Sequence, residues 1–364
     1  MSFSRIKDQE FAIKLIRRLL SQGRFPHALL FWGPEGVGKL TTAKELAKTL
    51  YCKNQGGTDS CDTCISCSKI EKGTHADVRY VVPVKKSRTI AVEAIEEIQE
   101  LAALSPIEGD RRVFILQDAD RLTAAAQHKF LKTLEEPPGK CTFILTSEYP
   151  GLLFATIRSR CQSIRFRILR TETVADILMT TRQMPSETAL SIAALAQGQI
   201  TRALELADTE RRTLALEIIR KVKQKADPLE LAREFTQVLN DQRKIIEAEI
   251  ESELDTVEEQ ALSPDEKESL KEERMAFIDA AYRRTLMQYL YLLETWYRDE
   301  LVLQTLGDAS KIFNKDQKDN LTAQASSDPN SCIRAIETAR EYLERQMNEE
   351  RVFRNLFFDL AAKQ

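Results

Sequence analysis

Long apolar runs are missing from this chain. No segment approaches the roughly 18–20 consecutive apolar residues that a helical membrane span needs, so nothing in it reads as one. Glycine and proline are sparse, at 12 and 11 in 364 residues, which excludes collagen-like and Pro/Gly-rich low-complexity chains. Charge of one sign is missing too: 53 basic residues face 56 acidic ones, for a formal net charge of -3. That balance excludes a uniformly basic nucleic-acid coat but leaves room for a local basic face. The opening residues, Met1-Ser2-Phe3-Ser4-Arg5, hold no apolar signal core. The expectation is a cytoplasmic chain whose cysteines stay reduced unless a metal takes them. What is present, 43% hydrophobic and 30% charged residues, suffices for two or three folded domains.

Four of the seven cysteines, Cys52, Cys61, Cys64 and Cys67, fall within sixteen residues with the spacing C-x8-C-x2-C-x2-C. Thiolates so spaced can converge on one tetrahedral ion, and four of them leave no open position. A structural zinc is therefore expected. An iron–sulfur cluster favours the same ligands, and four free thiols are the bland alternative; clustered cysteines in a reducing compartment favour metal. The Gly56-Gly57 turn is expected to bring Cys52 back to the others, with Lys53, Lys69 and Lys72 offsetting part of the thiolate charge. Cys141 and Cys332 read as small buried hydrophobes.

Residues 27–32, His-Ala-Leu-Leu-Phe-Trp, read as a buried strand, and Thr41 to Leu50 has helical periodicity. Between them lies Gly33-Pro34-Glu35-Gly36-Val37-Gly38-Lys39-Leu40. Strand, glycine loop and helix is the context in which G-x-x-x-x-G-K signals a phosphate loop. Gly33, Gly36 and Gly38 free backbone N–H groups to wrap phosphate oxygens, and Lys39 would reach the outer phosphates of ATP. The next residue should carry the magnesium-ligating hydroxyl, but it is Leu40. Thr41 comes one residue late, about 100° round the helix. A second acidic motif is also altered: the run Arg111 to Leu116, a basic lead into a buried strand, is followed by Gln117-Asp118. A neutral Gln is a weak magnesium ligand, and Asp118 reads equally well as a helix N-cap. Both changes speak against Mg2+ binding and ATP hydrolysis, while nucleotide binding itself stays open.

The most specific stretch is His128-Lys-Phe-Leu-Lys-Thr-Leu-Glu-Glu-Pro-Pro138, then the strand Thr142–Thr146, then Ser159-Arg160-Cys161. With the four-cysteine insertion, these motifs resemble the bacterial clamp-loader family of DNA polymerase III, over roughly residues 1–166. Within the family the chain is similar to the delta-prime type, not the motor type, which keeps Ser/Thr after the loop lysine and an Asp-Glu pair. The family's G-S-x-R motif is disturbed as well: Gly198-Gln199-Ile200-Thr201-Arg202 puts Thr201 where the arginine should be. By contrast Ser159-Arg160-Cys161 is intact. The resemblance implies that Arg160 is an arginine finger acting in trans on a neighbouring subunit's ATP site, a role suited to an always-charged guanidinium. On its own, the residue would read as a surface arginine closing a helix.

The resemblance further implies an α/β P-loop (AAA+-type) module with a parallel sheet at 1–167, carrying the zinc insertion at about 51–70. A helical lid at 168–209 and an all-α collar at 210–364 would follow. The implied partners are the gamma/tau-type motor and delta subunits in a hetero-pentamer, and through the complex the sliding clamp and primer-template DNA, with no membrane. Two rival readings are an ATP-hydrolysing motor subunit and a purely structural scaffold.

Helical spacing is clear from Gln9 to Leu20 (Phe11, Ile13, Leu15, Ile16, Leu19, Leu20), and two runs in Leu190–Ala207 break at Gly198. Glu247 to Arg274 is acidic and reads as a solvated helical hairpin, with a capping box at Ser263-Pro264 to Glu266. Phe277 to Leu306 carries an aromatic and leucine stripe, read as core or, by resemblance, partly interface. Asn314 to Asn330 reads as loop-rich, and a last amphipathic pattern, Arg334 to Leu360, breaks near Asn348. The basic cluster Lys85-Lys86-Ser87-Arg88 suits phosphate contact or a solvated loop.

Overall fold

The apolar segments separated by helical patterns pair into one all-parallel sheet. Strands β1 (Ala28–Trp32), β2 (Val78–Val81), β3 (Arg112–Leu116), β4 (Cys141–Ser147) and β5 (Gln162–Arg165) lie in the order β2-β3-β4-β1-β5. The connections contain α1 (Glu10–Ser21, ahead of β1), α2 (Lys39–Tyr51), α3 (Ile65–Glu71), α4 (Val92–Ala103), α5 (Ala124–Glu135) and α6 (Ala155–Arg160). This is a computed structural model describing residues 3–22, 25–54, 58–83, 89–208, 210–254, 264–323 and 326–363, without the side chains of 208, 251–254, 264–273, 276 and 323. Gly56-Gly57, the 85–88 basic cluster and the Ser263 capping box lie outside the described residues.

Successive side chains of a strand point to opposite faces, so every central strand feeds two cores. Ala28, Leu30, Phe114, Leu116, Phe143 and Leu145 pack under α4, α5 and α6 with Ile95, Ile98, Phe130 and Ile157. Leu29, Phe31, Val113, Ile115, Ile144 and Ile164 meet α1, α2 and α3 through Ile13, Ile16, Leu46, Tyr51 and Ile70. Near-continuous apolar strands are what a sheet covered on both faces requires. The result is an α/β module built on a five-stranded, all-parallel sheet with helices on both faces.

One expectation for α1 needs correction. Phe11 is 74% exposed, whereas Ala12, Ile13 and Ile16 form the buried face. At 100° per residue, Phe11 lies about 150° round from the centre of that face.

Asp77, just before β2, ties the β2 edge down. Its buried carboxylate accepts from the backbone N–H groups of Ile107, Glu108 and Gly109 at 2.7, 2.7 and 3.0 Å. Burial alone would raise this carboxyl, but the three donors outweigh it and hold it below its usual range.

The chain divides into two compact units, residues 1–174 with 197–202, and residues 175–196 with 203–364. The second half runs through α7 (Thr171–Arg182), α8 (Ser186–Ala196), α9 (Ile200–Asp208), α10 (Arg211–Lys223), α11 (Pro228–Leu254), α12 (Pro264–Leu306), α13 (Lys318–Ala323), α14 (Pro329–Glu344) and α15 (Glu349–Ala361). The expected loop-rich stretch after Asn314 thus contains α13. Phe235 on α11 centres this helical core, with edge-on contacts to Tyr289, Phe353 and Phe357 at 5.4, 4.8 and 5.7 Å between ring centroids. The α12 stripe is largely core: Tyr289, Leu290, Leu293, Trp296 and Tyr297 are buried. Two acids share its interior. Asp299 accepts from the N–H groups of Phe313 and Asn314, and Glu300 pairs with buried Lys223 at 2.6 Å. Asn348 caps α15 by accepting from Arg351 N–H at 3.1 Å, which explains the break there. No described helix is long and apolar enough to cross a membrane.

Candidate functional site

In an open parallel sheet, the ligand crevice lies beyond the carboxyl ends of the strands. Three features read from the sequence gather at that edge: loop 33–38 after β1, Gln117-Asp118 after β3, and Thr201 at the start of α9. Glycine is required at the loop's two tightest points. At Gly33, with φ +149°, a Cβ would lie 2.3 Å from the Phe166 carbonyl oxygen. At Gly36, with φ +72°, it would lie 2.9 Å from both Thr201 N and Oγ1. The Gly36 carbonyl accepts from Ile200 N–H at 3.1 Å, so the start of α9 rests on the loop. Gly38 stands in left-handed conformation as the N-cap of α2.

Lys39 is folded back into this loop. Its Nζ donates to the carbonyls of Gly33 at 2.7 Å and Pro34 at 2.6 Å, and the residue is buried. Burial pushes its pKa below the ordinary lysine value, opposed by the carboxylates of Glu148, Asp118, Asp120 and Glu35. The ammonium therefore has loop carbonyls as partners and acids as neighbours, a poor setting for a triphosphate without a metal. Leu40 is 37% exposed where the magnesium hydroxyl would stand, and Thr41 is exposed. The Thr42 hydroxyl is spent on the Gly38 carbonyl at 2.7 Å.

Asp118 does stand at the N-cap position of the short 3-10 turn Ala119–Arg121, its carbonyl accepting from Arg121 N–H at 2.8 Å, but it is left-handed at φ +49° where a capping residue is usually extended, and its side chain makes no capping hydrogen bond. Its N–H donates to Thr146 Oγ1 at 3.1 Å, and burial with Asp120 nearby raises its carboxyl.

Four residues at this edge carried no recognisable sequence signal. Glu148 and Asp120 surround Lys39, and Glu148 N–H donates to Asp120 at 3.2 Å. Buried Gln9 bonds the carbonyls of Val37 and Arg167 at 3.3 and 2.7 Å, holding the loop against the exit of β5. Ser147 Oγ, at the end of β4, is buried with no hydrogen-bond partner among the described residues.

Arg160 is not part of that cluster. It ends α6, with its side chain 34% exposed, and its Nη2 meets Glu135 at 2.5 Å while Nη1 donates to the Thr156 carbonyl at 3.0 Å. Ser159 Oγ also donates to Thr156 O, at 3.0 Å. Cys161 is buried, and burial pushes its thiol up to about 12, so it serves packing. Arg158 is exposed on the same short helix.

At the far end of α2 the chain brings Cys52, Cys61, Cys64 and Cys67 together, with all four sulfurs within 4.8 Å of one another. A tetrahedral zinc with Zn–S bonds near 2.3 Å spaces its sulfurs by about 3.8 Å, so a contraction of about 1 Å closes the site and the donor set fits zinc. The N–H groups of Cys61 and Cys64 point at Cys52 Sγ and Cys61 Sγ, each at 3.3 Å, as donors that ease thiolate charge. The expected help from Lys69 is corrected: its ammonium goes to Glu108 at 2.8 Å. Buried Lys48 on α2 instead anchors the insertion, pairing with Glu45 at 3.0 Å, with Asp62 at 3.4 Å and with Glu71.

Comparison with known proteins gives a consistent picture. The family described as DNA polymerase III, delta subunit, matches residues 8–170. DNA polymerase III subunit delta' of Bacillus subtilis (strain 168) is 36% identical over 171 residues, covering 47% of this chain and 51% of that one. Subunit delta' of Escherichia coli (strain K12) is 38% identical over 140 residues, covering 38% and 42%. Subunit tau of B. subtilis is 32% identical over 211 residues, covering 57% and 37%. The chain thus spans about half or less of the length of these relatives.

Proposed function

This chain belongs, through residues 8–170, to the DNA polymerase III clamp-loader family, close to its delta-prime subunits, and we propose that it serves as a delta-prime-type subunit that does not hydrolyse ATP. In this reading Arg160 is inserted in trans into the ATP site of a gamma/tau-type neighbour. The complex, a hetero-pentamer that includes a delta subunit, places a sliding clamp on primed DNA. One contrast carries the reading. The chain's own phosphate loop has Leu40 for the magnesium hydroxyl, Gln117 for the acid, and a lysine bonded to loop carbonyls. Its Arg160, by comparison, stands part-exposed at a helix end on the surface. An arginine finger stabilises charge on phosphate oxygens as the γ-phosphoryl group transfers, and it needs exposure rather than a nucleotide site of its own.

The four cysteines would hold zinc as a structural ion, with no open position for chemistry. Residues 168–209 would form the lid, and residues 210–364 the collar through which subunits assemble.

The test is ATP turnover by the reconstituted loader, stimulated by clamp and primed DNA, with the wild-type chain and with Arg160→Ala at equal assembly. A fall of several-fold or more is expected, partial because one finger serves one site among several. Unchanged turnover would reduce the chain to a scaffold. Turnover by the isolated chain would instead favour a motor subunit.

A further inference from the structure

From the contacts of Arg160 we infer that Glu135, the last residue of α5, is a positioning residue for the finger. The inference rests on the trans-acting role proposed above and adds the group that sets the arginine's geometry.

An exposed arginine samples many rotamers, and a finger must lose that freedom when it engages phosphate. Here the guanidinium is fixed beforehand at two points, by the Glu135 carboxylate at 2.5 Å and the Thr156 carbonyl at 3.0 Å. Of its five N–H donors, these contacts use two. Among the described residues the other three meet no partner and stay available to phosphate oxygens.

The carboxylate is itself held in register with α6. Buried Gln127, two turns earlier on α5, donates to the Leu152 carbonyl at 3.2 Å, and its Oε1 accepts from Phe154 N–H at 2.8 Å. Phe154 is the N-cap residue of α6. One amide thus pins the start of α6 to α5, and one ion pair pins its end. The finger is carried on a bracket with two fixed points.

Magnitude separates positioning from locking. Both partners are part-exposed, at 34% and 49% of their side-chain surface. A pair so exposed biases a rotamer by a factor of roughly two to five. That is too weak to withhold the arginine from a triphosphate, and enough to preset its direction.

The experiment compares Glu135→Gln, Glu135→Asp, Arg160→Ala and Glu135→Gln/Arg160→Ala in the assembled loader, following kcat and KM for clamp- and DNA-stimulated ATP turnover. Glu135→Gln is expected to lower kcat by about two- to five-fold with KM for ATP unchanged, in line with the bias of an exposed pair. Glu135→Asp should recover part of that loss. In the Arg160→Ala background Glu135→Gln should do nothing further, because its effect passes through the arginine. If Arg160→Ala lowers turnover but Glu135→Gln does not, the positioning role is wrong and the finger stands. The positioning role fails equally if the two losses simply multiply. If Arg160→Ala itself leaves turnover unchanged, the finger reading falls and the role of Glu135 falls with it.

Discussion

Stripping metal from the four-cysteine module should unfold that module and leave the sheet standing. Structural zinc sites contribute on the order of 10 kcal/mol of apparent binding energy, comparable to the whole stability of a domain. Without the ion, the insertion is held by Ile70, buried in the core beneath α2, and by polar contacts: Lys48 to Asp62 and Glu71, Asp59 to Phe3 N–H and Arg17, and Lys69 to Glu108. Burying one such aliphatic side chain stabilises by roughly 2–3 kcal/mol, which about offsets the ordering of two residues. Against the ordering of the insertion's remaining residues these few contacts leave the metal-free insertion unstable, whereas β1, β3 and β4 keep both of their cores. Amides of Cys64–Lys72 should lose most of their protection from exchange after chelation under reducing conditions, with those of the central strands much less affected. The assay is hydrogen exchange resolved by mass spectrometry, beside a colorimetric count of zinc released by a thiol reagent. About one zinc per chain is expected. A chain that takes up no zinc after anaerobic reconstitution, or whose exchange at 64–72 ignores the chelator, would overturn the structural-metal account.

Two further outcomes follow from the fold. Asp77→Asn should lose about 1–3 kcal/mol at neutral pH, as one charged acceptor of three N–H groups becomes a single amide carbonyl. Because the folded carboxyl lies below its unfolded value near 3.9, that stabilisation is complete above the unfolded pKa and fades as pH falls through the folded one. Urea titrations of both proteins should therefore differ at pH 7 and converge toward pH 3. Gly33→Ala should cost about 3 kcal/mol, from left-handed strain plus a methyl pressed on the Phe166 carbonyl. Gly73→Ala is its control: φ is +72°, with nothing within 4 Å of the new methyl. An equal loss at both positions in urea melts would sink the close-contact explanation.

Covalent spacing and periodicity made much of the fold legible. A buried run, a glycine loop and a helical pattern specify β1, the loop and α2, because each obeys a local rule. The breaks at Gly198 and Asn348 were readable for the same reason. Side chains whose partners are remote in sequence were not. Gln9 bonds Arg167, Asp77 bonds residues thirty positions away, and Glu135 meets an arginine twenty-five positions later. Nothing near Gln9 or Asp77 marks them out, and the motif that contains Glu135 does not name its partner. Phe11 misled because a strongly amphipathic helix still leaves one large residue off its buried face. The α12 stripe concealed Asp299 and Glu300, acids that are buried only because a following loop and Lys223 supply partners.

Helix α2 begins at Lys39 and its C-cap is Cys52, so one rigid rod of 13 residues joins the glycine loop to the four-cysteine module. Its span is about 20 Å. The two ends share a phase as well as a distance. One residue added or removed between Ala43 and Lys48 would swing Cys52 by about 100° about the axis, away from the three sulfurs on the returning chain. A slip placed before Leu46 would also turn Leu46 and Ala47 out of the core. Substitutions on the exposed face of this helix leave both ends in place. Changes of length do not, so related chains that keep both the loop and the four cysteines should vary here in composition and not in residue number.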